Sequence, residues 1–546
     1  MLPAPSIQGL YRTDARARAA YAEGAGIFRM IPAAVCVPAG TDDIVSLVRW
    51  AGAQGAALVP RGAGSGMGGG NVGEGVMVDL TGFPRRLEID PGRRRALASA
   101  SVTLAELNAR AQDSGLRLPP DPSSAKWATV GGALSTNAAG ARSVRYGSVR
   151  RWVEAIEMVT ADAEVVELRR GTPNGKTPLV GCRALERFGL EADPAIKEAA
   201  HLVAARYPRT RKNSAGYALD AYLASGDVLD LVIGAEGTLG IVTAVEWRLD
   251  HQPSLQAGLR VTLSSLDVLA EAVAALLQHH PSAVELLDRS FLEVVGEHGA
   301  EAMLLVEIEG TDAETVRAAV DRCAQAVTPW ATAVDTGLTP AAVERLWQLR
   351  HAASPILASL PEDRRSLQVI EDACVPVERM SEYVRTVREA AAERGLTVVI
   401  FGHAGDGHIH VNLLPEIGRS GWEEAVTGLL DEITDAVVRL GGTPSGEHGD
   451  GRLRAGLLPR VYGGEVVALF ERVKRAFDPL GIFNPGVILP CPSGPPGGEP
   501  PLSHLKVGCR AAPLPDDIAR ALRLIEQRGQ YGRSRLDVAD GPQPQP

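Results

Sequence analysis

Two short stretches hold the densest chemistry in the chain. "FGHAGDGHIH", residues 401–410, carries three of the eleven histidines beside an aspartate and three glycines. "SGEHGDGR", residues 445–452, adds Glu447 and His448. His408 and His410 alternate along a segment of strand character, which puts both on one face. His403 lies across the turn Gly405-Asp406-Gly407 and can fold back to the same place. Glu447 and His448 are neighbours on an extended segment and point to opposite sides, so one can bind a metal while the other faces a substrate. Two imidazoles and a carboxylate leave open positions on a zinc-like ion, the donor set of a catalytic metal. The competing reading is polar residues in ordinary loops; their concentration in two glycine-flanked motifs argues against it. Spacing alone pairs His408 with His410, two residues apart on one strand face.

A second chemistry lies in the glycine loops. Gly64-Ser65-Gly66-Met67-Gly68-Gly69 satisfies G-x-G-x-x-G. A nicotinamide-binding Rossmann unit needs a helix next. Here "VGEGVMVDL" follows, which has strand character, so that reading is rejected. Clustered glycines still let backbone N–H groups approach an anion closely, and Arg61 is expected to add charge at the loop mouth. Residues 119–147 and 234–243 form two further loops rich in small residues. Three such loops in the first half point to one large ligand with a pyrophosphate.

Several elements must position these loops. A helix opens at Thr41, with Asp42 and Asp43 at its positive end and Ile44, Leu47, Val48 and Ala51 on one face. "AALVP" and "VMVDL" read as strands flanking the first glycine loop. Leu87–Ile89 and Ala96–Ser101 pair across Asp90-Pro91-Gly92. Thr103 and Glu106 form a capping box for a helix that Gly115 closes. "VEAIEMVT" and "AEVVEL" turn at Ala161-Asp162-Ala163. Beyond about residue 255, strands and helices alternate, including helices over 341–354 and 377–394 and the strands "LTVVIF" and "HIHVNLLP". That texture predicts helices on one face of an antiparallel sheet. From Pro490 the chain reads as a Pro/Gly-rich linker, a short helix over about 515–527, and a disordered end "DGPQPQP".

Composition narrows the classes. At roughly 100–200 residues per domain, 546 residues predict two to four compact units. The net charge of −10 opposes nucleic acid and anionic membrane as global partners. No apolar run reaches membrane-spanning length, and the N-terminus lacks a signal-peptide core. The expectation is a cytoplasmic protein, with a peripheral position at the inner membrane face left open. Six scattered cysteines contain no C-x-x-C, so neither an iron–sulfur cluster nor a zinc ribbon is expected.

"VPRGAGSGMGGG", "PPDPSSAKWATVGG", "TNAAGARSVRYG", "RKNSAGYALD" and "GAEGTLGIVT" resemble the FAD-binding domain of vanillyl-alcohol-oxidase-type flavoproteins. "FGHAGDGHIHVNLLP", "SGEHGDGR" and "FDPLGIFNPG" resemble the C-terminal domain of their D-2-hydroxyacid dehydrogenase branch, which includes D-lactate, glycolate and D-2-hydroxyglutarate dehydrogenases. The resemblance covers about residues 10–490. "RRSLQVIEDACVPVERM" further resembles large bacterial members in which a flavin half is fused to an iron–sulfur half. It implies an α+β chain: an N-terminal extension (1–30), a two-subdomain FAD-binding domain (31–252), a C-terminal domain with an antiparallel, ferredoxin-like sheet (253–490), and a linker and tail (491–546).

Motif by motif, the resemblance implies a cofactor set. Arg61, Gly62, Gly64, Ser65 and Gly66 hold the FAD pyrophosphate. Pro120, Asp121, Ser123, Gly131, Gly132, Asn137, Gly140, Tyr146 and Gly147 line the path from adenine to isoalloxazine. Glu236, Gly237 and Ile241 close it, and Asn484 of the last motif joins them. The first loop contains no histidine, so the FAD is expected to be non-covalent. Ser65-Gly66 stands where Thr-Ser is usual in relatives, which puts one hydroxyl contact in doubt. The resemblance makes His403, His410 and Glu447 the ligands of a divalent metal (Zn²⁺, Mn²⁺ or Fe²⁺) and His448 the base, and leaves His408 without a role. It places Arg350 on the substrate carboxylate, with Asn412 and Tyr217 as further substrate contacts.

The implied reaction is oxidation of a D-2-hydroxy acid to the 2-oxo acid, with hydride to flavin and electrons on to an iron–sulfur protein, quinone or cytochrome. A homodimer is left open. The alternatives are an alkyl-glycerone-phosphate-synthase-like transferase, whose usual histidine run is missing here, and a non-flavin metal-binding subunit. The tail is expected to be dispensable for the flavin site and to dock a separate electron acceptor.

Overall fold

The computed structural model describes residues 3–171, 181–491, 494–495 and 498–541. The first glycine loop leaves a four-stranded sheet, ordered Leu10–Arg12, Ala34–Val37, Val76–Asp79, Leu58–Arg61. Its last three strands are parallel. The helix Thr41–Gln54 supplies the crossover. Gly40, not Thr41, takes its cap position, and Asp43 accepts backbone N–H bonds from Gln8, Gly9 and Ala39. Ile44, Leu47, Val48 and Ala51 are buried against this sheet, as their spacing requires.

A second, antiparallel sheet runs Leu87–Asp90, Arg95–Ser99, Ile241–Arg248, Val153–Val159, Val165–Arg169. The Thr103–Glu106 capping box is present with both reciprocal bonds. Ala163 at the 160–164 turn takes φ 58°. The segments 119–147 and 234–243 pack between this sheet and the rest of the chain.

The second half is built on a seven-stranded sheet: Ala331–Gly337, Leu255–Leu263, Ala302–Gly310, Ala283–Asp288, Thr397–His403, His408–Leu414, Ala373–Cys374. Every pair in it is antiparallel. One face carries Leu259, Val261, Val284, Leu286, Leu304, Val306 and Ile400 into a core shared with the helices Leu269–Leu277, Ala313–Val327, Met380–Glu393 and Trp422–Arg439. The expectation of helices on one face needs correction. Leu287, Met303, Leu305, Val399 and Phe401 point the other way and meet Phe291 and Leu357 of two further helices, Arg289–Val294 and Pro340–Ala358. Strand alternation puts Glu285, Glu307, Glu309 and His403 on this second face.

That second face abuts the first half of the chain. Arg117 donates to both Glu309 oxygens at 2.9 and 2.8 Å, and Tyr146 donates to Glu309 at 2.6 Å. Arg142 forks onto Glu307 at 2.7 and 2.9 Å. Planar guanidinium–carboxylate pairs of this kind fix orientation as well as distance.

The tail also departs from expectation. Its helix spans Asp516–Arg528, and a second, Arg535–Asp540, follows it. Ile518, Leu522, Ile525, Val538 and Ala539 are buried against Ala17, Ala20 and Tyr21 near the N-terminus and against Val35, Val59 and Met77 of the four-stranded sheet. Asp540 pairs with Arg12 at 2.5 Å, so this part of "DGPQPQP" is ordered; residues 542–546 lie outside the described residues. The apolar face of the helical tail is therefore covered by the chain itself.

Gly451 makes the tightest approach between the two halves. Its φ is 55°, and a Cβ there would lie 1.8 Å from the carbonyl oxygen of Gly68. That same carbonyl accepts N–H bonds from Arg452 and Leu453. Gly451→Ala is expected to destabilise the chain by about 2 kcal/mol or more, from left-handed backbone strain plus the clash. An unchanged thermal melt of the variant would contradict this packing.

Candidate metal and flavin site

The hairpin Thr397–His403/His408–Leu414 pairs Phe401 with His410 and His403 with His408. Directly opposed residues of an antiparallel pair share a face, so all three histidines face the same side. Its connection is a single 3₁₀ turn, Ala404–Asp406, closed by Gly407 at φ 72°. A Cβ on Gly407 would sit 2.0 Å from the Val375 carbonyl oxygen, so only glycine fits.

The three imidazoles are not equivalent. His410 Nδ1 donates to the Glu371 carbonyl at 2.9 Å, which leaves its Nε2 without a proton when the ring is neutral. Burial, reinforced by the neighbouring rings, keeps its pKa well below the usual value. His403 Nδ1 donates to Glu285 Oε1 at 2.5 Å, turning its Nε2 the same way. The two Nε2 atoms stand 3.3 Å apart, and each faces Glu447 Oε1, at 3.2 Å from His403 and 3.6 Å from His410. Three donors about 2.1 Å from one tetrahedral ion would stand about 3.4 Å apart, so this set fits a divalent cation. Carboxylate or carbonyl partners on the outer ring nitrogens are the usual support of ligating histidines.

His408 faces the same side but both its nitrogens are engaged. Nε2 meets Asp372 Oδ1 at 2.9 Å, and Nδ1 accepts from Lys212 Nζ at 3.2 Å. It is fully buried, and that burial lowers its pKa. It spans two charges, although its ring stands in the same metal-capable group as His403, His410 and Glu447.

Glu447 is held from behind. Its Oε2 accepts from the Gly140 N–H at 2.6 Å and from Lys212 Nζ at 3.0 Å, which turns Oε1 toward the histidines. Burial opposes the ionisation of Glu447, but Lys212 and His403 outweigh it and hold its pKa well below the usual range. Asp372, also fully buried, gathers the 445–448 segment: it accepts from Ser445 Oγ at 2.8 Å and from the His448 N–H at 2.9 Å. His448 Nδ1 donates to Glu371 Oε2 at 2.8 Å, and Arg454 donates to the other oxygen of Glu371 at 2.7 Å. His448 thus presents Nε2 to the open side, 3.9 Å from Glu447 Oε1, with its ring stacked on His410. Burial opposes its protonation, but Asp372 and Glu371 prevail and push its pKa up to about 10.

Arg350 donates from Nε to Glu285 Oε2 at 2.8 Å and lies over the Phe401 ring. Glu285 therefore joins Arg350 to His403. Burial alone would raise the Glu285 pKa; the His403 and Arg350 charges hold it down at about 2.

One cavity of about 1180 Å³ connects this cluster to the glycine loops. His403, His410, Glu447, His448, Arg350 and Asn412 line one end, and Gly62, Gly64, Ser65, Gly66, Asp121, Ser123, Gly131, Gly132, Glu236 and Gly237 line the rest. The first loop offers bare backbone there: a Cβ on Gly62 would fall 2.5 Å from Thr129 Oγ1, and one on Gly70 2.6 Å from Glu236 Oε2. The cradle suits a dinucleotide.

Other expected positions serve elsewhere. Arg61 lines the cavity but does not charge a loop mouth: it is buried, and its guanidinium donates to the carbonyls of Tyr21, Glu23 and Asn71, shaping the loop from behind. Tyr217 is not a substrate contact. It is buried with its hydroxyl on Thr238 and its edge on Phe470. Pro120, Asn137, Gly140, Tyr146, Gly147, Ile241 and Asn484 also stand outside the cavity lining. Tyr146 ties the halves together through Glu309. Asn137 and Asn484 hold positive-φ turns, and Asn484 Nδ2 donates to the Gly70 and Glu236 carbonyls. Glu285, Glu371, Asp372 and Lys212 carry the cluster's support and were not singled out from the sequence. The last three lie in the quoted stretches "VIEDACVP" and "RKNSAGYALD"; Glu285, in "AVELLD", carries no local signal.

Residues 32–169 match the family described as FAD binding domain, and residues 252–488 match FAD linked oxidases, C-terminal domain. The chain is 29% identical to glycolate oxidase subunit GlcD of Bacillus subtilis over 84% of this chain and 89% of that one. It is 29% identical to D-lactate dehydrogenase of Archaeoglobus fulgidus, over 83% and 91%. With D-2-hydroxyglutarate dehydrogenase of Pseudomonas putida it shares 30% identity over 88% of this chain but 50% of that one. Among solved structures, 4-ethylphenol oxidase from Gulosibacter chungangensis superposes with TM-score 0.66 at 17% identity, covering 88% of this chain and 94% of that one. An alkyldihydroxyacetonephosphate synthase superposes with TM-score 0.57 at 15% identity, covering 87% and 82%. These two likenesses speak to the fold.

Lys212→Met and Glu285→Gln are each expected to weaken divalent-metal binding by about 10–100-fold while FAD content is kept. His408→Ala removes one buried partner from each of Lys212 and Asp372 and is expected to lower the melting temperature. Metal titration of the three purified variants, with flavin absorbance recorded alongside, checks both statements; wild-type metal affinity in the first two contradicts the support assignment.

Proposed function

We propose that this chain, an FAD-dependent oxidoreductase of the FAD-linked oxidase family, oxidises a D-2-hydroxy acid to its 2-oxo acid. The observation that carries the reading is the convergence of His403 Nε2, His410 Nε2 and Glu447 Oε1 beside His448 and Arg350, at one end of the cavity that the glycine loops line. When bound, non-covalent FAD supplies a two-electron hydride acceptor, and a divalent ion supplies a Lewis acid that an α-hydroxy acid can chelate through its hydroxyl and carboxylate.

The chain's own residues do the rest. Arg350 is held by Glu285 through Nε alone, and the rest of its planar fork suits the substrate carboxylate. His448 Nε2 takes the hydroxyl proton. Its Nδ1–H is anchored on Glu371, which fixes the ring orientation as the carboxylate does in a catalytic triad. The same carboxylates favour the protonated ring, so positive charge on the adjacent donors is needed to keep Nε2 free as a base. Asn412 shares the strand face of His410 and borders the same space. Its Oδ1 accepts from Ser366 Oγ at 3.0 Å. That bond leaves the amide N–H₂ as the group available to a substrate oxygen. Glycolate, D-lactate and D-2-hydroxyglutarate are the candidate substrates, and Zn²⁺, Mn²⁺ and Fe²⁺ all suit the donor set. The electrons taken up with FAD bound would leave for an iron–sulfur protein, quinone or cytochrome.

Anaerobic mixing of the metal-loaded holoprotein with the three acids is expected to bleach the flavin with at least one of them. Chelation abolishes bleaching and added metal restores it. His448→Ala slows the bleaching by about 10²–10⁴-fold with FAD and metal retained. A metal-loaded flavin that no 2-hydroxy acid reduces defeats the reading.

A further inference from the structure

The helical tail lies beyond both matched regions, which end at residue 488, yet it forms part of the cavity wall. Glu526, Gln527, Arg528, Gly529 and Tyr531 line it. The tail helix Asp516–Arg528 is fastened to the N-terminal segment on its outer side, where Arg16 pairs with Asp517 at 2.6 Å and donates to the Ala539 carbonyl at 2.8 Å. On its inner side it packs against the helix Pro340–Ala358, which carries Arg350.

The polar contacts on that inner side fall on one short segment. Arg523 donates from Nη2 to the Leu360 carbonyl at 2.6 Å and pairs from Nε with Glu362 at 2.9 Å. Glu526 pairs with Arg365 and, at 3.2 Å, with Lys506. Arg365 is only 4% exposed, and its other terminal nitrogen meets Glu362 at 3.2 Å. Leu360–Arg365 leads directly out of the Arg350 helix. It leads directly into Ser366, Leu367 and Gln368. Leu367 exchanges backbone bonds with Leu413 at 2.8 and 3.0 Å, while Ser366 and Gln368 both donate to Asn412 Oδ1, at 3.0 and 3.3 Å. The tail thus grips the connection between Arg350 and the strip that orients Asn412.

We propose that the tail helix is a positioning element of the hydroxy-acid pocket: Glu526, through Arg365, and Arg523, through Leu360 and Glu362, set the 360–368 segment and with it the placement of Arg350 and Asn412. The proposal rests on the 2-hydroxy-acid reading for its substrate. A tail that only stabilised the fold would leave substrate affinity unchanged once the holoprotein is folded. A positioning tail separates KM from the limiting rate, because it acts on carboxylate placement and not on the metal, His448 or the flavin.

Glu526→Gln keeps the shape of the side chain and removes its charge. In the FAD- and metal-loaded protein it is expected to raise KM for the reducing hydroxy acid by about tenfold, the scale of one charge-assisted hydrogen bond. The limiting rate of anaerobic flavin reduction should stay within about twofold. Arg523→Met should act in the same sense, and Glu526→Asp should recover most of the loss. An unchanged KM in both Glu526→Gln and Arg523→Met overturns the proposal. If no hydroxy acid reduces the wild-type flavin, the functional reading has failed, and hydrogen exchange over residues 340–368 of the FAD-loaded chain decides the latch by itself. Faster exchange there in Glu526→Gln supports it; identical exchange overturns it.

Discussion

The candidate site depends on one constraint: two imidazole nitrogens and a carboxylate oxygen are made to point at one spot. His403 Nε2, His410 Nε2 and Glu447 Oε1 lie 3.2–3.6 Å from one another. Left to relax, each group could turn away from the other two. Each donor is prevented from doing so by a partner on its far side: Glu285 for His403, the Glu371 carbonyl for His410, and Lys212 with the Gly140 N–H for Glu447. The outer bonds fix where the three inner atoms meet, and that set fits a divalent cation.

Two of these partners, Glu285 and Lys212, are themselves buried charges, which are costly unless fully paired. The pairing is continuous. Lys212 touches Glu447 and His408, His408 touches Asp372, and Asp372 holds the 445–448 backbone that carries Glu447 and His448. Glu285 runs the other way, to Arg350. The network reaches both halves of the chain, since Gly140 and Lys212 belong to the first and the histidine hairpin to the second. The metal donor set and the contact between halves are therefore parts of one construction, reinforced by Arg117 and Arg142 on Glu309 and Glu307.

Local patterning made much of this legible. The Thr103–Glu106 box, the Thr41 helix face, the strand pair turning at 161–163 and the alternation of "HIHVNLLP" each follow from short-range chemistry. The selection among the three histidines does not. His408 and His410 share a face with His403, as alternation requires, but what engages His408 differently is Lys212, 196 positions away in sequence. Distant partners also explain the corrections. Arg61 sits at a glycine loop, yet Tyr21 and Glu23 draw its guanidinium inward. Tyr217 stands in a motif, yet Thr238 and Phe470 enclose it. The helical tail looked detachable because its composition is that of a linker followed by an amphipathic helix; the surface that helix covers is assembled from residues 17–21, 35, 59 and 77, which no window of sequence contains.

The cavity imposes a division of labour between its walls. The glycine loops contribute stretches of bare backbone among small and polar side chains, as a long, charged, flat cofactor needs for close approach. The second face of the seven-stranded sheet contributes titratable side chains at alternate positions, among them Glu285, His403, His410 and Asn412. A strand places such groups about 7 Å apart along one line and a neighbouring strand within about 5 Å across it. That grid is too coarse to bring three donors within bonding distance of one ion. Glu447 supplies the missing fineness because it comes from an irregular segment that Asp372 holds by its backbone N–H groups, free of strand register. A regular sheet thus sets the site's position, and one loop carboxylate adjusts its dimensions to those of a metal ion.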